Sequence, residues 1–329
     1  MHDEHDGAGT SEDELDVEVP GLMDQMRIDR AISMLTGLSR SEASALLASG
    51  AVSVDGKVVT KASVPLVAQQ RLEAVLPAPP DLSVVPEPEV EVDVLYVDED
   101  LIVVNKSFDQ VVHPGAGNTT GTLISGVIAR WPEVAELPGL GLGEPARPGI
   151  VHRLDKGTSG VLVIARSPQA YLALTEQMTN HTAQRRYIGF LEGHVAEDRG
   201  IVDAPIARSA STPTKMAVRP DGRPARTHYQ VLERLVAPDR TVAGLELETG
   251  RTHQIRVHMS AIGHPVANDP RYGQRNVTSL DRDRLALHAG RLSFVHPATN
   301  ERQSFIAPLP SDLAALGAAR VAQEWLEED

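Results

Sequence analysis

An aspartate surrounded by cations stands just before a strongly apolar segment, and no other stretch combines charge and burial in this way. His152, Arg153 and Lys156 flank Asp155, and five apolar residues, 161–165, follow a turn of small residues. Nearby positive charge favours the ionised form of a carboxyl group. The apolar run predicts a strand that is buried on both faces. Asp155 is therefore a candidate catalytic residue, although a solvated loop with a structural salt bridge would have the same composition.

Two further stretches combine cations with an aromatic or turn residue. Arg185 and Arg186 directly precede Tyr187 in an apolar segment that predicts a strand. Arg251 follows a strand-like alternation at residues 245–247 and precedes a segment that fits a short helix. A side chain on such a turn can point into a cleft. Both stretches are candidates for substrate binding.

The charge of the chain is unevenly distributed. The net charge is -14, but twenty of the acidic residues lie in three segments without Lys or Arg, residues 1–20, 81–100 and 321–329. The remaining 280 residues carry a net charge of +6, and residues 208–226 are the most basic stretch. A mildly basic body with acidic ends is compatible with binding of nucleic acid phosphates.

Composition also excludes several classes of protein. The chain has no cysteine, which rules out disulfides and thiolate metal sites and fits the reducing cytoplasm. No apolar run approaches the roughly 20 residues that a membrane span needs. The acidic N-terminus lacks the apolar region of a secretory signal. We therefore expect a cytoplasmic protein that does not bind membranes.

The 329 residues predict two domains with a tail and a linker. Residues 1–20 are polar, acidic and without period, which predicts disorder. Residues 21–80 predict a small module of two helices and a hairpin. Prolines make residues 81–90 an extended linker. Residues 91–329 predict a larger second domain that opens with a hairpin.

The small module resembles an S4 RNA-binding domain. The matching segments are residues 38–43, Leu-Ser-Arg-Ser-Glu-Ala, and residues 50–57, Gly-Ala-Val-Ser-Val-Asp-Gly-Lys. This resemblance implies RNA contacts from Arg27, Arg30 and Arg40. A small helical adaptor with scattered arginines is the alternative.

The second domain resembles the RluA-type pseudouridine synthases. The matching stretches occur in the family's order and include residues 152–160, 249–258, 268–273 and 287–289. The resemblance implies an α+β fold, mixed but built on a largely antiparallel sheet. It also implies an isomerase that converts uridine in RNA to pseudouridine without a cofactor or metal. Together with the S4 resemblance it points to large-subunit ribosomal RNA, or its precursor particle, as the partner, and it implies no protein partner.

The same resemblance assigns roles to individual residues. Asp155 would be the nucleophile, Tyr187 would stack on the uracil, and Arg153 would contact the RNA where the base was extruded. Arg251 is our candidate for the cation that keeps Asp155 ionised and oriented. For Arg256 we expect an ordinary position on a helix surface.

Three alternatives compete with this interpretation. A glycoside hydrolase would need a second carboxyl group flanking the bond, and no other acid lies in a comparable motif. A non-catalytic S4-type RNA-binding protein would not need Asp155, Tyr187 and Arg251 together. A metalloenzyme is disfavoured because His253 and His258 are five residues apart and do not share a helix face.

Overall fold

A computed structural model describes residues 14–76, 83–115, 117–212, 214–275, 277 and 279–328. The chain divides into two compact units, Met1–Asp81 and Leu82–Asp329. Each unit has an apolar core of its own. Within the described residues, the helices are too short or too polar to cross a bilayer.

The first unit packs two helices against a four-stranded antiparallel sheet. Its elements are β1 Glu14–Glu18, α1 Ile28–Thr36, α2 Arg40–Ala48, β2 Val52–Val54, β3 Lys57–Val58 and β4 Arg71–Val75. The strand order is β1-β4-β2-β3. Ser39 and Glu42 form the capping box that begins α2, and Gly37, in the left-handed region, ends α1. The helix–turn–helix–hairpin prediction for this module is therefore confirmed.

The strand β1 overturns part of the predicted disordered tail. It pairs with β4 over five residues, from Glu14 opposite Val75 to Glu18 opposite Arg71. Leu15 and Val17 pack against the core of the unit. Alternation of acidic and apolar residues allows the segment to bury one face while its charges stay in water. The prediction is thus wrong for residues 14–20, whereas residues 1–13 lie outside the described part of the chain.

Part of the predicted linker belongs to the second unit. Residues 77–82 lie outside the described residues, but Val84 is 9% exposed and joins the core of that unit. The carboxylate of Glu87 accepts hydrogen bonds from Gly121 N at 2.7 Å and from the Ser125 hydroxyl. Residues 83–90 are therefore not a free tether, because they pack against the domain that follows them.

The described residues of the second unit form eleven strands and five α-helices. They are β5 Val94–Val97, β6 Leu101–Lys106, α3 Leu123–Arg130, β7 Ser159–Ala165, α4 Pro168–Thr179, β8 Gln184–Glu192, β9 Arg199–Asp203, β10 Ile206–Arg208, β11 Met216–Val218, β12 Arg226–Val236, β13 Asp239–Leu247, α5 Gln254–Ala261, β14 Leu287–Val295, β15 Arg302–Ile306, α6 Ser311–Ala314 and α7 Ala319–Glu327. A 3-10 segment, Pro132–Leu140, follows α3.

Nine of these strands form one sheet, and β10 and β11 form a separate hairpin. The order in the large sheet is β5-β6-β7-β14-β8-β13-β12-β9, with β15 added to β14. Its pairings are antiparallel except for the short parallel contact between β7 and β14. The predicted α+β fold with a largely antiparallel sheet is confirmed. Every residue of β7 is buried, so the loop that precedes β7 is anchored to the centre of the sheet.

Candidate active site

The loop before β7 holds Asp155 in a turn that is fixed from several sides. The backbone N–H of Thr158 donates to the carbonyl of Asp155 at 3.1 Å. Gly157 N donates to the carbonyl of Phe108 at 2.6 Å, and Gly157 O accepts from Nη1 of the fully buried Arg284 at 3.0 Å. The Arg284 cation therefore anchors the backbone of this turn.

The same turn requires glycine at position 157. Its φ is +92°, in the left-handed region that other residues rarely adopt. A Cβ at this position would lie 2.5 Å from the carbonyl oxygen of Asp283. Both the conformation and the close approach of a second chain segment explain the small residues that follow Asp155.

A buried arginine connects Asp155 to a second carboxylate. Arg256 Nη1 donates to Asp155 Oδ2 at 2.9 Å. The Nε and Nη2 atoms of Arg256 donate to the two oxygens of Asp269 at 2.6 and 2.9 Å. The Arg256 side chain is 5% exposed and that of Asp269 is fully buried, whereas Asp155 remains 19% exposed. The guanidinium is thus fixed by Asp269 and presents its remaining edge to Asp155.

The charges of this cluster reinforce one another. Burial lowers the pKa of Arg256, but hydrogen bonds to Asp269 and the charge of Asp155 hold it above its ordinary value. Burial alone would raise the pKa of Asp269, but Arg256 holds it below its ordinary value. Arg256 therefore supplies a permanent positive charge against the Asp155 carboxylate.

The predicted contact between Arg251 and Asp155 is wrong. Arg251 lies on the turn before α5, as expected, but its Nε donates to the carbonyl of Pro224 at 3.0 Å. The cation beside Asp155 is Arg256, for which we expected a helix surface. The reason is that residues 254–259 of α5 are all buried, so the helix has no exposed side in its first turns.

His253 links the cluster to the basic hairpin β10–β11. Its Nε2 lies 3.9 Å from Asp155 Oδ2, and its Nδ1 lies 2.8 Å from the hydroxyl of Tyr272. That hydroxyl accepts the backbone N–H of Met216, on β11, at 2.9 Å. Burial lowers the pKa of His253, although the charge of Asp155 opposes this. In a neutral imidazole the nitrogen facing the carboxylate should carry the proton, with Tyr272 donating to Nδ1.

A small cavity is lined in part by Asp155. It has a volume of about 60 Å³, and its lining includes Tyr187 together with Leu247 and Leu287. Tyr187 is 6% exposed, and burial raises the pKa of its hydroxyl, which therefore stays protonated. The sequence prediction placed Asp155 and Tyr187 in one site, and they line the same cavity.

A larger basic cleft is also lined by Asp155. It has a volume of about 790 Å³ and shares Asp155, Arg153 and Arg256 with the small cavity. Its cations otherwise come from separate parts of the chain: Lys156, Arg208, Arg271 and Arg275. Arg153 is exposed, with Nη1 at 3.3 Å from Nε2 of His113. A polyanion in this cleft would meet Arg153 next to the carboxylate.

Lys106 is a buried cation whose charge interacts with that of Asp155. Its Nζ donates to the carbonyls of Ser107 and Gln110 at 2.6 and 2.8 Å. Burial lowers its pKa to about 7, although the charge of Asp155 works in the opposite direction. The ammonium thus adds to the positive field around Asp155 in its protonated form.

Comparisons with known proteins agree with this geometry. Residues 100–261 match the RNA pseudouridylate synthase family, and residues 26–72 match the S4 domain. The chain is 41% identical to the uncharacterized RNA pseudouridine synthase YlyB of Bacillus subtilis, over 92% of this chain and 97% of that protein. The chain belongs to the RNA pseudouridine synthase family. It is an enzyme of the isomerase class that acts on uridine in RNA.

Other members of the family are similar over most of their length. Ribosomal large subunit pseudouridine synthase D of Vibrio vulnificus is 41% identical over 88% of this chain and 89% of its own. Among solved structures, human RNA pseudouridylate synthase domain containing 1 is 29% identical with a TM-score of 0.54, over 71% of this chain and 89% of that one. The resemblances stated from the sequence, both the synthase and the S4 domain, are confirmed.

In the S4 domain of this synthase, one buried carboxylate organises two of the predicted RNA-binding arginines. The side chain of Asp29 is 4% exposed and pairs with Arg27 at 3.0 Å and Arg40 at 2.9 Å. Hydrogen bonds from Arg27, and then Arg40, lower the pKa of Asp29 to about 2 against the effect of burial. Both arginines remain at least half exposed. Arg30 follows Asp29 on α1, and its role stays a prediction.

Sequence reasoning missed several members of the synthase site. The sequence analysis assigns no role to Asp269, Tyr272 or Lys106, and it expects Arg256 on a helix surface. The available signal was chemical, because Asp269 stands in an otherwise turn-like stretch and Arg256 in an otherwise apolar one. A charged residue in such a place usually has a buried partner.

Proposed function

We propose that this synthase isomerises uridines of large-subunit ribosomal RNA, with Asp155 as the catalytic nucleophile. One observation carries the proposal: the Asp155 carboxylate, held by the buried Arg256, lies where the basic cleft meets the cavity that Tyr187 lines. A cleft of this charge suits an RNA backbone, and the cavity suits a single planar base.

The substrate base must leave its stack to reach the carboxylate. Extrusion of a nucleotide costs a few kcal/mol, which contacts to the backbone and the base must offset. Arg153 is exposed at the junction of cleft and cavity, where it would contact the RNA that the base has left. Tyr187 would stack on the uracil inside the cavity.

The reaction rearranges atoms within one nucleotide. The N1–C1′ bond breaks, the uracil turns, and a bond forms between C5 and C1′. N1 gains a proton and C5 loses one, so the reaction needs no external oxidant or reductant. The carboxylate of Asp155 is placed either to attack C1′, to attack the base, or to assist departure of the uracil. In each course, Arg256 orients the carboxylate and supplies a positive charge beside it.

The structure disfavours a glycoside hydrolase with the same nucleophile. Such an enzyme needs a second carboxyl group that can act as a general acid. Among the described residues, two further carboxylates are close to this site: Asp269, which is fully buried and paired with two nitrogens of Arg256, and Asp283 on the cleft wall, which is 60% exposed and lies 3.7 Å from Arg275. The pKa of Asp269 is lowered rather than raised, so it is poorly suited to donate a proton near neutral pH.

The choice of ribosomal RNA rests on relatives and on the S4 domain. The relative from Vibrio vulnificus is named a ribosomal large subunit synthase. The S4 domain adds exposed arginines that would bind a structured RNA. On this proposal the synthase acts in the cytoplasm, on ribosomal RNA or its precursor particle.

Nucleotide-resolution mapping of pseudouridine in ribosomal RNA tests this proposal. Strains with and without the gene should differ at one or more uridines of the large-subunit RNA. A purified synthase should restore those sites on RNA from the deletion strain. An unchanged map in both ribosomal subunits would refute the proposed substrate, and the restored sites supply the stem-loops for the experiments below.

We predict that Tyr187→Phe is a milder change than Tyr187→Leu. Stacking of a base on an aromatic ring is worth about 1–3 kcal/mol, which corresponds to roughly 5- to 140-fold in kcat/KM. The Leu variant should lose that factor, whereas the Phe variant keeps the ring. Single-turnover assays on one stem-loop give both values, with thermal unfolding as the control for folding. Equal losses in the two variants would mean that the hydroxyl is required.

We also predict that the catalytic unit is active without residues 1–81. This boundary retains Val84 and Glu87, which pack within the second unit. The truncated synthase should modify a short stem-loop at high enzyme concentration but should lose activity on large ribosomal RNA at low concentration. Loss of the tethered S4 domain removes both phosphate contacts and a gain in effective concentration.

A salt series checks the mechanism of that loss. The logarithm of affinity should fall more steeply with the logarithm of salt concentration for the full-length protein than for the truncated one. A full-length Arg30→Gln variant is the matched control, because Arg30 is not one of the arginines paired with Asp29. It should reduce the slope by at most about one. Equal slopes for full-length and truncated protein would contradict a phosphate-binding role for the S4 domain.

A further inference from the structure

The reaction proposed for this synthase leaves one polar side chain beside Asp155, that of His253, without a role. His253 lines both the small cavity and the basic cleft. Its backbone has a φ of +58°, in the left-handed region, directly before α5, and its side chain makes no capping hydrogen bond to that helix. Residues other than glycine are uncommon in this region, and such conformations are concentrated at functional sites. The backbone of His253 therefore requires an explanation.

Hydrogen bonds fix both the ring of His253 and the position of its proton. The hydroxyl of Tyr272 accepts the backbone N–H of Met216 at 2.9 Å, so its own proton can be donated to Nδ1 of His253 at 2.8 Å. Burial raises the pKa of Tyr272, which keeps this hydroxyl protonated. Burial also lowers the pKa of His253, which favours the neutral imidazole. The proton of the neutral ring then lies on Nε2.

The Nε2–H group of His253 has no acceptor within the described part of the chain. It lies 3.9 Å from Asp155 Oδ2, which is too long for a hydrogen bond. The side-chain atoms that are both enclosed and without a hydrogen bond in the described residues do not include Nε2 of His253, so this nitrogen is accessible. Nδ1 faces Tyr272, and Nε2 thus presents a donor of fixed direction to the space beside the Asp155 carboxylate.

Two arginines of the same cavity wall, Arg153 and Arg256, also carry N–H groups. Arg256 uses Nε, Nη1 and Nη2 on two carboxylates. Arg153 is exposed and lines the cleft as well. Both are permanent cations, which suit carboxylates and phosphates. His253 differs from them because it offers one neutral N–H whose direction Tyr272 fixes.

We propose that His253 is a catalytic residue whose Nε2–H donates a hydrogen bond to the O2 oxygen of the departing uracil. This inference rests on the proposed function, in which the N1–C1′ bond breaks beside Asp155. When that bond breaks, its electron pair stays with N1 and is shared with O2 through the amide group between them. O2 is the carbonyl oxygen next to N1, so it lies close to the carboxylate that is placed at C1′.

A fixed donor at this place favours the transition state over the bound substrate. The negative charge on O2 grows as the bond breaks, and an N–H that is already oriented needs no rearrangement to meet it. Loss of one such donor in other enzymes lowers the rate by about 10²–10³-fold. With its proton on Nε2, the ring cannot also take the proton that C5 loses, so the geometry selects a donor rather than a general base.

Two amide substitutions in the full-length synthase test the proposal. The amide of His253→Gln reaches the place of Nε2 and keeps an N–H there, whereas the amide of His253→Asn reaches only the place of Nδ1. At saturating enzyme on a uridine stem-loop, the single-turnover rate should fall about 100-fold in the Asn variant and less than about tenfold in the Gln variant. Affinity for the stem-loop should change little in either. Asn adopts the left-handed backbone more readily than Gln, so a merely structural role predicts the opposite order.

A sulfur substitution in the RNA tests which atom His253 contacts. Sulfur accepts hydrogen bonds weakly, so the wild type should modify a 2-thiouridine target more slowly than uridine. The ratio of the two rates should be about tenfold smaller in His253→Asn and close to the wild-type ratio in His253→Gln. With a 4-thiouridine target, the ratio should be the same in all three enzymes.

His264→Asn is the matched control. His264 lies outside the linings of both the cavity and the cleft. Its Nδ1 contacts the carbonyl of Glu192 at 2.9 Å, which an asparagine amide can still reach. This variant should keep the wild-type rate and the wild-type ratio of uridine to 2-thiouridine.

The outcomes distinguish this inference from the proposed function. If the wild type modifies no RNA, the proposed function and the inference fall together. If the wild type is active and His253→Asn is as active as His253→Gln, the inference alone is overturned. A loss in His253→Asn that is equal for uridine and 2-thiouridine would also overturn it. With a lowered unfolding temperature, that loss would assign His253 a packing role instead.

Discussion

Asp155→Asn should abolish pseudouridine formation and leave the fold and RNA binding nearly intact. The change is almost isosteric, but it removes the negative charge and the nucleophilic oxygen. Loss of a reacting group in other enzymes lowers the rate by about 10⁴-fold or more, and we expect a loss of that order. Pseudouridine yield on a stem-loop, measured by mass spectrometry under single-turnover conditions, gives the value.

The structure explains why this variant should remain folded. Arg256 keeps both hydrogen bonds to Asp269, and an amide oxygen at position 155 can still accept its third hydrogen bond. The unfolding temperature and the affinity for the stem-loop should therefore stay close to those of the wild type. A variant that retains a tenth of the wild-type rate would show that Asp155 is not the nucleophile.

Arg256→Met should be severe in both stability and activity. Asp269 is fully buried, and it would be left without its cation. Breaking a buried ion pair from one side costs about 3–5 kcal/mol. The Asp155 carboxylate would also lose the guanidinium that Asp269 holds in place beside it. We therefore expect kcat/KM to fall by at least about 100-fold. Arg256→Lys should rescue little, because one ammonium cannot bind two carboxylates in this geometry.

Two companion variants make the comparison decisive. Arg251→Gln should cost less than about tenfold, since Arg251 contacts the Pro224 carbonyl rather than Asp155. The double variant Arg256→Met with Asp269→Asn should regain stability, because no buried charge is left unpaired. It should remain inactive. Urea unfolding measures the effect on stability, and single-turnover assays measure the effect on activity. If Arg251→Gln lowered kcat/KM more than Arg256→Met, Arg251 rather than Arg256 would be the cation that orients Asp155.

The place of Asp155, the proposed nucleophile, could be predicted because the signals around it are local. The charged residues around Asp155, the small residues after it and the apolar run of β7 all lie within fourteen residues. The capping box of α2 and the hairpin of the S4 domain are local in the same sense. Such patterns depend on helix and strand periodicity, which a sequence displays directly.

The partner of the nucleophile could not be predicted, because its contact is distant in sequence. Arg256 is 101 residues from Asp155. The sequence predicts Arg251 on a turn and Arg256 on the surface of the following helix, and the burial of residues 254–259 of α5 decides between the two arginines. A helix that is buried on all sides has no amphipathic period, and the usual criterion for its inward face then fails.

The prediction of disorder for residues 14–20 is wrong for a related reason. The acidic charge of this segment favours disorder, but every second residue from Leu15 to Val19 is apolar. A segment of five residues that pairs with β4 needs only one buried face. The same holds for residues 83–90, where proline content suggested a free linker and two contacts with the second unit decide otherwise.

The strand β1 also determines how the first unit behaves towards other copies of itself. It lies at the end of its sheet and covers the backbone groups of β4 that would otherwise be open to pairing. An uncovered strand edge is a template for aggregation, and charged residues on the outermost strand oppose it. Glu14, Asp16 and Glu18 place three negative charges on that strand. The acidic strand β1 thus acts as a charged edge strand that disfavours pairing with another copy. Shortened forms of the protein that begin after β1 would expose the unpaired backbone groups of β4 and should aggregate more readily.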